Sequence, residues 1–430
     1  MSMPKAGAPE SPALHLQGRP VLRVLGTEIT LLESIRLRAE ADLGITLAFE
    51  NLDFISAQRK AAIQPETYDV YDQCFHNLDI VWFWRAIQSI DLKRIVRWNE
   101  VSDLTKTGRI HSGAAIGRGD APVTKLFAQP NRSLGSAPSG RISMLPTVHN
   151  LDSFAYNAGL VNGHLEPSAS WGALLDDRWA GCVALVDEPA IGVFDAALAA
   201  QARGEVHFDD IGNMSTAEID SLIEFLAERK RAGYFCGFWT TASEAADLML
   251  SGQSIMQSMW SPGVSLLRRR DFPVREAVPQ EGYRAWHGGL CLARHLSGRT
   301  LDVAYEYLNW WLDGWAGAVV ARQGYYMSIP ERVRQYLSLA EWNYWYEGEP
   351  AAENCQARTA NGPSAAARSE AGAPIASVPA ASRSGTPRWT STITSSDAGP
   401  SLLAHPRKRR CTRARTGQAG AMLAGRAGKR

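Results

Sequence analysis

Two cysteine and histidine pairs are the parts of the sequence whose residue types and spacing could do chemistry. Cys74 and His76 are separated by one residue, and Cys291 and His295 by three. A thiol beside an imidazole can form a nucleophilic thiolate or bind a metal ion. Neither pair itself supplies a third ligand or an orienting acid, and the chain has no G-x-S-x-G, P-loop or H-E-x-x-H motif. We therefore predict no enzyme activity, no metal site and no cofactor, with a cysteine-dependent enzyme as the alternative.

The charge of the chain is divided between two unlike parts. Residues 351–430 contain 13 Lys/Arg and 3 Asp/Glu, whereas residues 1–350 contain 32 and 41. An acidic body is compatible with a cationic ligand, although acidic surfaces commonly serve solubility alone. The basic run Arg407–Arg410 is typical of a solvated tail, so we predict no nucleic-acid partner.

The length of 430 residues is enough for two sizeable cores and a tail. The sequence contains no run of 18 apolar residues, so no membrane span is predicted. Residues 1–20 lack the apolar core of a secretory signal and are predicted to be a disordered N-terminal segment.

The elements that would position a site are clearest between Ser168 and Phe194. Ser168 or Ser170 can cap a short helix, because a serine hydroxyl accepts a backbone N–H that is free in the first turn. The apolar run Cys182–Val186 is typical of a strand buried on both faces. An acidic exit, Asp187-Glu188-Pro189, follows it, and a second helix is predicted to begin near Ala190.

The rest of the chain alternates between strand and helix patterns, and residues 102–140 have the composition of a loop. The predicted strands are Val21–Gly26, Ile45–Glu50, Tyr68–Asp72, Ser143–Asn157, Ser254–Trp260, Phe272–Val278 and Ala285–Leu290. The predicted helices are Thr27 to about Ala41, Phe54–Ile63, Thr216–Arg231, Ser243–Ser251 and Leu301–Trp315.

These elements, together with the turn Gly324–Pro330, make residues 20–345 resemble the extracellular solute-binding proteins of bacterial ABC transporters, specifically the spermidine/putrescine (polyamine) type. The resemblance implies an α/β, two-lobed periplasmic-binding-protein fold of type II, with discontinuous lobes joined by a hinge of two crossings. Lobe 1 would comprise residues 21–148 with 262–318, and lobe 2 residues 149–261 with 319–350. Residues 351–430 would be a low-complexity, basic, disordered tail.

The tail also carries a hypothesis about its reading frame. Residues Ala380–Gly399 can be back-translated with synonymous codons so that another frame encodes an aromatic, amphipathic segment similar to the family's closing helix. Residues from about Asn354 onward would then be out of frame, and the sequence of the gene tests this.

The resemblance implies a function in transport. The protein would capture a small organic cation such as putrescine or spermidine in the periplasm and deliver it to the transmembrane subunits of an ABC permease. A solute-binding protein for a different small solute is the alternative.

Recognition of a polyamine needs aromatic rings, which pack on the methylene stem and face the ammonium groups, and carboxylates, which pair those groups. In open α/β sheets ligands bind at the carboxyl ends of strands, and in the resembled family the crossing segment also contributes. The ligand-binding residues predicted in this way are Thr27, Glu28, Cys74, His76, Asp152, Ser153, Trp260, Trp286 and Tyr325.

The chain departs from the family at the acidic ligand positions. Pro189, Gly192 and Gly288 stand where the resemblance leads us to expect carboxylates. Glu28 and Asp152 are predicted to supply the replacement charge, since both would lie on turns that face the cleft.

Overall fold

The computed structural model describes residues 19–109, 123–161, 165 and 169–349. Ser168, most of the predicted N-terminal segment and the predicted basic tail with its reading-frame hypothesis lie outside these residues. Within the described residues, every helix is too short or too polar to cross a membrane.

Fifteen strands form among the described residues. They are β1 (Val21–Gly26), β2 (Thr46–Asn51), β3 (Val70–Cys74), β4 (Ile87–Gln88), β5 (Ile90–Asp91), β6 (Phe127–Ala128), β7 (Leu134–Gly135), β8 (Arg141–Ile142), β9 (Leu145–Asn157), β10 (Val183–Val186), β11 (Phe235–Trp239), β12 (Met256–Met259), β13 (Val274–Glu276), β14 (Arg284–Ala293) and β15 (Tyr326–Met327).

Fourteen α-helices accompany the strands in the described part of the chain. They are α1 (Glu33–Leu43), α2 (Phe54–Ile63), α3 (Leu78–Phe83), α4 (Asp103–Thr107), α5 (Val123–Leu126), α6 (Ala158–Val161), α7 (Pro189–Arg203), α8 (Thr216–Arg231), α9 (Ala242–Leu250), α10 (Ser261–Arg268), α11 (Gly298–Trp311), α12 (Trp315–Ala321), α13 (Pro330–Arg334) and α14 (Leu339–Trp342). Short 3-10 turns, among them Phe75–Asn77 and Trp171–Leu175, link them.

Most strands belong to one mixed sheet with the order β11-β10-β12-β9-β14-β3-β1-β2. At one end β1 pairs in parallel with β2 and β3, and at the other β10 pairs in parallel with β11 and β12. The antiparallel strands β9 and β14 join the two parallel groups. A separate small sheet has the order β5-β8-β6-β7.

The long strand β9 changes partner along its length. Its residues from Leu145 to Asp152 pair with β14, and those from Ser153 to Tyr156 pair with β12. One continuous strand therefore belongs to both parts of the sheet, as the predicted crossing strand does.

The buried apolar residues form three clusters. The largest packs β1, β2, β3 and β14 against α11 and α12. The other two pack the strands β10 and β12 against α7 on one side and α9 and α10 on the other. Residues 320–333 contribute to the first cluster and residues 264–274 to the third. The predicted lobe boundaries stay a prediction.

Three local predictions are wrong. The helix predicted from Thr27 begins at Glu33, because the preceding residues form a tight turn in which Leu31 N–H donates to the Thr27 carbonyl. The helix predicted to reach Trp315 ends at Trp311, and Gly314 follows with a left-handed φ of 99°. The segment 102–140, predicted as a loop, contains two short helices and two of the four strands of the small sheet.

Candidate functional site

Six of the nine predicted ligand-binding residues line one small cavity of about 20 Å³, room for about one water molecule. They are Cys74, His76, Asp152, Trp260, Trp286 and Tyr325, and the remaining walls are Ile29, Phe54, Ile191 and Arg284. Mainly apolar walls with a few polar groups are the composition of small-molecule sites, and a ligand larger than water needs these walls to separate.

The cavity lies where β9 passes from one part of the sheet to the other. Asp152 is the register partner of Arg284 on β14, and the next residue, Ser153, is the partner of Met259 on β12. Trp260 directly follows β12, and Cys74 is the last residue of β3. Strand ends from both parts of the sheet therefore supply its walls.

The three predicted aromatic residues are buried in two groups. The Trp286 and Tyr325 rings meet edge to face, with centroids 5.5 Å apart. Trp260 contacts Trp239 in the same way at 4.8 Å and Phe54 at 6.2 Å. Phe54 packs against the first and the third apolar clusters, so its contact with Trp260 joins the two sides of the cavity. A ligand that enters this closed space requires the walls to separate.

The other three predicted residues do not line the cavity. Thr27 is buried, and its carbonyl accepts from the Leu31 N–H. Glu28 is exposed. Burial raises the pKa of the Tyr325 hydroxyl, and the charge of the nearby Glu28 raises it further. The Ser153 hydroxyl donates to the Ala277 carbonyl at 3.0 Å.

A buried guanidinium with a surplus of carboxyl groups forms the polar part of the site. Arg284 donates from Nε to Asp195 Oδ1 at 2.6 Å, and its Nη1 lies 3.3 Å from Asp152 Oδ2. The Glu188 carboxyl is close enough to act on Arg284 electrostatically. All four side chains are buried, with Arg284 only 1% exposed. Three carboxyl groups thus share one buried positive charge.

Burial controls the ionisation of this group. It raises the pKa of Asp152 and of Glu188 to about 7, with the Arg284 charge acting in the opposite direction. Burial also raises the pKa of Asp195. Desolvation opposes the charge on Arg284, but Asp195 and Asp152 outweigh it and hold the arginine pKa above its ordinary value. A second positive charge in the cavity would favour ionisation of these carboxyl groups.

The buried Cys74 and His76 do not have the ionisation of a thiolate–imidazole pair. Burial raises the pKa of the Cys74 thiol far above its usual range and lowers that of His76 to about 3. A nucleophilic cysteine needs the opposite shift. In the described ranges, no three His, Cys, Asp or Glu side chains come together as metal ligands would.

Two positions of the missing acids, Gly192 and Gly288, are closely packed. A side chain at Gly192 would overlap the Val186 carbonyl oxygen, which the helix start of α7 approaches closely. A Cβ at Gly288 would lie 3.0 Å from Val148 Cγ1. Pro189 is the first residue of α7, where its fixed φ suits a helix start. Close packing therefore replaces the carboxylates at these positions.

Sequence reasoning missed Arg284 and Asp195. Asp195 had a local signal, because it interrupts the apolar face of α7 between Phe194 and Ala196 and is fully buried. A charged residue on a buried helix face needs a partner. Arg284 directly precedes the predicted strand Ala285–Leu290, and nothing in its neighbourhood marks it as buried.

The family model that matches the chain is that of the bacterial extracellular solute-binding proteins, over residues 87–333. No curated protein shows significant sequence similarity to the chain.

Three solved structures with a similar fold are distant from this chain in sequence. A putative spermidine/putrescine ABC transporter from Listeria monocytogenes is 14% identical, with a TM-score of 0.54 over 75% of this chain and 91% of that chain. The TpPotD lipoprotein of Treponema pallidum is 13% identical, with a TM-score of 0.54 over 70% and 83%. The PBP MotA from A. tumefaciens, in complex with glucopine, is 12% identical, with a TM-score of 0.50 over 74% and 86%. These likenesses confirm the predicted α/β periplasmic-binding-protein fold.

Proposed function

The chain belongs to the bacterial extracellular solute-binding protein family, and on that basis we propose that it is the substrate-binding component of an ABC importer for a small, polyamine-like organic cation. The protein would bind this cation in the cavity between β9, β12 and β14. It would then release the cation to the transmembrane subunits of a permease from the periplasmic side. Its role is binding rather than catalysis.

The surplus of buried carboxyl groups carries the proposal. Asp152, Asp195 and Glu188 can hold three negative charges, whereas Arg284 supplies one positive charge. The ionised cluster is therefore two positive charges short of balance. Buried charges without a partner are costly, so binding of two further positive charges would be favourable. A diamine such as putrescine, with one charge at each end of an apolar stem, matches this deficit.

The aromatic walls support the same class of ligand. Trp260, Trp286 and Tyr325 offer apolar surface for methylene groups and ring faces for an ammonium group, each worth about 0.5–2 kcal/mol. Asp152 is the predicted carboxylate that also lines the cavity. Glu28 is exposed, so Glu188 and Asp195 replace it in the proposal.

Calorimetric titration of the full chain with putrescine, spermidine and a quaternary amine tests the proposal. We expect Trp260→Ala and Trp286→Ala each to weaken binding by about 1–3 kcal/mol. Trp84→Ala is the matched control, because Trp84 is 59% exposed, directly follows α3 and does not line the cavity. The proposal fails if none of the cations binds, or if both cavity variants bind like the control.

A second candidate is a small solute that carries an acidic or carbonyl group as well as an amine. Arg284 Nη2 is buried and has no hydrogen-bond partner among the described residues, and Arg284 lines the cavity. This group is available to donate to a ligand oxygen. Ornithine and γ-aminobutyrate in the same titration separate the candidates, since tighter binding of either than of putrescine favours the second.

A further inference from the structure

A groove lined by arginines lies on the surface, and none of its lining residues lines the cavity. Its walls carry four guanidinium groups, and no Asp or Glu is among the described residues that form them. The charged and aromatic members are Trp82, Arg85, Arg132, Arg141 and Arg294. We call this surface the arginine groove.

Three of these arginines are without an ionic partner in the described part of the chain. Arg85, Arg132 and Arg294 are exposed, and none of their guanidinium groups is paired with a carboxylate there. Arg141 is held more firmly, since it donates from Nε to Ser89 Oγ at 2.7 Å and lies 3.9 Å from Asp91 Oδ2. The groove is thus strongly positive, although residues 1–350 carry a net negative charge.

The arginines are presented by a fixed framework. Trp82 Nε1 donates to the Arg132 carbonyl at 2.9 Å and thereby joins the end of α3 to the turn before β7. Arg85 and Arg132 both adopt left-handed backbone conformations, with φ of 54° and 68°. Residues other than glycine adopt this conformation rarely. The two side chains are therefore held at the groove by a specific local structure.

Two large exposed aromatic residues, Phe83 and Trp84, lie in the sequence between two residues that line the groove. Phe83 is 76% exposed and Trp84 is 59% exposed, and their rings meet edge to face. They occupy the chain positions between Trp82 and Arg85, which both line the groove. Exposed aromatic rings beside cationic side chains are the composition of a surface that contacts lipid head groups.

The groove is separate from the proposed ligand site. Arg294 follows the last residue of β14, whereas Arg284 and Trp286 lie at its start. Eight steps of extended strand lead from Trp286 to Arg294, which is about 26 Å. Trp82 is nearer, six positions after His76 in the chain, but no residue lines both the groove and the cavity. We therefore expect substitutions of Arg85, Arg132 and Arg294 to leave the cavity walls unchanged.

We propose that the arginine groove binds the phosphate head groups of an anionic lipid surface, with Phe83 and Trp84 placed at the level of the head groups. The planar guanidinium groups donate paired hydrogen bonds to phosphate oxygens. The two rings contribute apolar contact at the boundary between head group and acyl chain. Contact with the membrane through this groove would orient the protein without using the cavity.

Co-sedimentation of the full chain with vesicles tests the proposal. We compare vesicles of phosphatidylcholine alone with vesicles that also contain phosphatidylglycerol. The combined substitution Arg85→Gln, Arg132→Gln and Arg294→Gln should weaken binding to the anionic vesicles by about ten-fold or more, since each arginine near such a surface contributes about five-fold. Phe83→Ser with Trp84→Ser should also weaken it.

The basic segment 351–430 requires a matched control. Changing Arg407, Lys408 and Arg409 to Gln removes the same number of charges from that segment and leaves the groove intact. The proposal is overturned if this control loses as much binding as the groove variant. It is also overturned if the wild-type chain does not bind anionic vesicles. The same conclusion follows if heparin binds to these arginines and vesicles do not bind to them. Trp260→Ala should bind vesicles like the wild type, so the result is independent of the cation titration.

Discussion

Arg284 and Asp152 face each other across the β9–β14 pair as register partners, with Arg284 Nη1 3.3 Å from Asp152 Oδ2. Arg284 is 1% exposed and Asp152 is 3% exposed. The same arginine is bonded to Asp195 on α7. One buried guanidinium therefore ties the central strands of the sheet to a helix and also forms part of the cavity wall.

Removing the arginine should destabilise the whole protein. Arg284→Met leaves Asp152 and Asp195 buried without their partner, so we expect the free energy of unfolding to fall by about 3–5 kcal/mol. Urea denaturation measures it. The control is Arg270→Met, whose ion pair with Asp247 at 3.5 Å is exposed on both sides and is worth less than about 1 kcal/mol. Equal effects of the two substitutions would contradict a structural role for the buried cluster.

Cation binding should strengthen as the pH rises. Burial raises the pKa of Asp152 and Glu188 to about 7, so both carboxyls are largely protonated at about pH 5 in the ligand-free protein. A diamine favours their ionised forms, and binding therefore releases protons. We expect the affinity for putrescine to increase between about pH 5 and about pH 8. Calorimetry in two buffers of different ionisation enthalpy measures the proton release, and an affinity that is flat over this range would refute the coupling.

The ligand-free protein should show the opposite trend at the same residue. The folded-state pKa of Asp152, about 7, lies above the unfolded value of about 4, so the folded state binds more protons in between. The contribution of Asp152 to stability is greatest below about pH 4 and is lost as the pH rises through about 7. Asp152→Asn stays neutral, so its melting temperature should improve relative to wild type from about pH 5 to about pH 8. A constant difference in melting temperature would argue against the raised pKa.

Ligand binding should be accompanied by hinge closure. Phe54 and Trp260 touch from opposite sides of the cavity, and the cavity side chains are buried, so a cation can enter only when these walls move apart. The predicted crossings near Met144–Ser153 and Met256–Pro262 would be the hinge. We expect the ligand-free protein in solution to populate an open form, so small-angle scattering with saturating putrescine should show a smaller radius of gyration than without ligand. Trp260→Ala is expected to respond less, and unchanged scattering of the wild-type chain counts against the motion.

Restoring a side chain at one of the missing acid positions should be destabilising. Gly192→Ala would place its methyl group against the Val186 carbonyl oxygen, a rigid backbone atom, and overpacking of this kind costs about 1–3 kcal/mol. Gln201→Ala, on the exposed side of the same helix α7, should change stability by less than about 0.5 kcal/mol. Thermal or urea unfolding compares the two, and a fully tolerated Gly192→Ala would show that the helix start can move.

The sequence by itself determined the elements whose signals are local. Helix α8 has the predicted bounds Thr216–Arg231, since Ser215 and Glu218 form a capping box and the apolar residues recur at helical spacing. Helix α2 has the predicted bounds Phe54–Ile63, with Asp53 as its cap. The resemblance to solute-binding proteins added the strand ends and aromatic residues that line the cavity. These features depend on residues that are close together in the sequence, so they can be predicted from the sequence alone.

Only the tertiary structure determines which charged side chains come together at the site. Arg284 and Asp195 are 89 residues apart, and no local pattern relates them. The pairing of β9 with β14 places Asp152 beside Arg284, and the packing of α7 brings Asp195 and Glu188 to the same point. Glu28 has the same carboxylate as Asp152, yet it is exposed to water and does not line the cavity. A carboxylate acquires its role here from burial and from its distance to a buried cation, and both are properties of the folded chain.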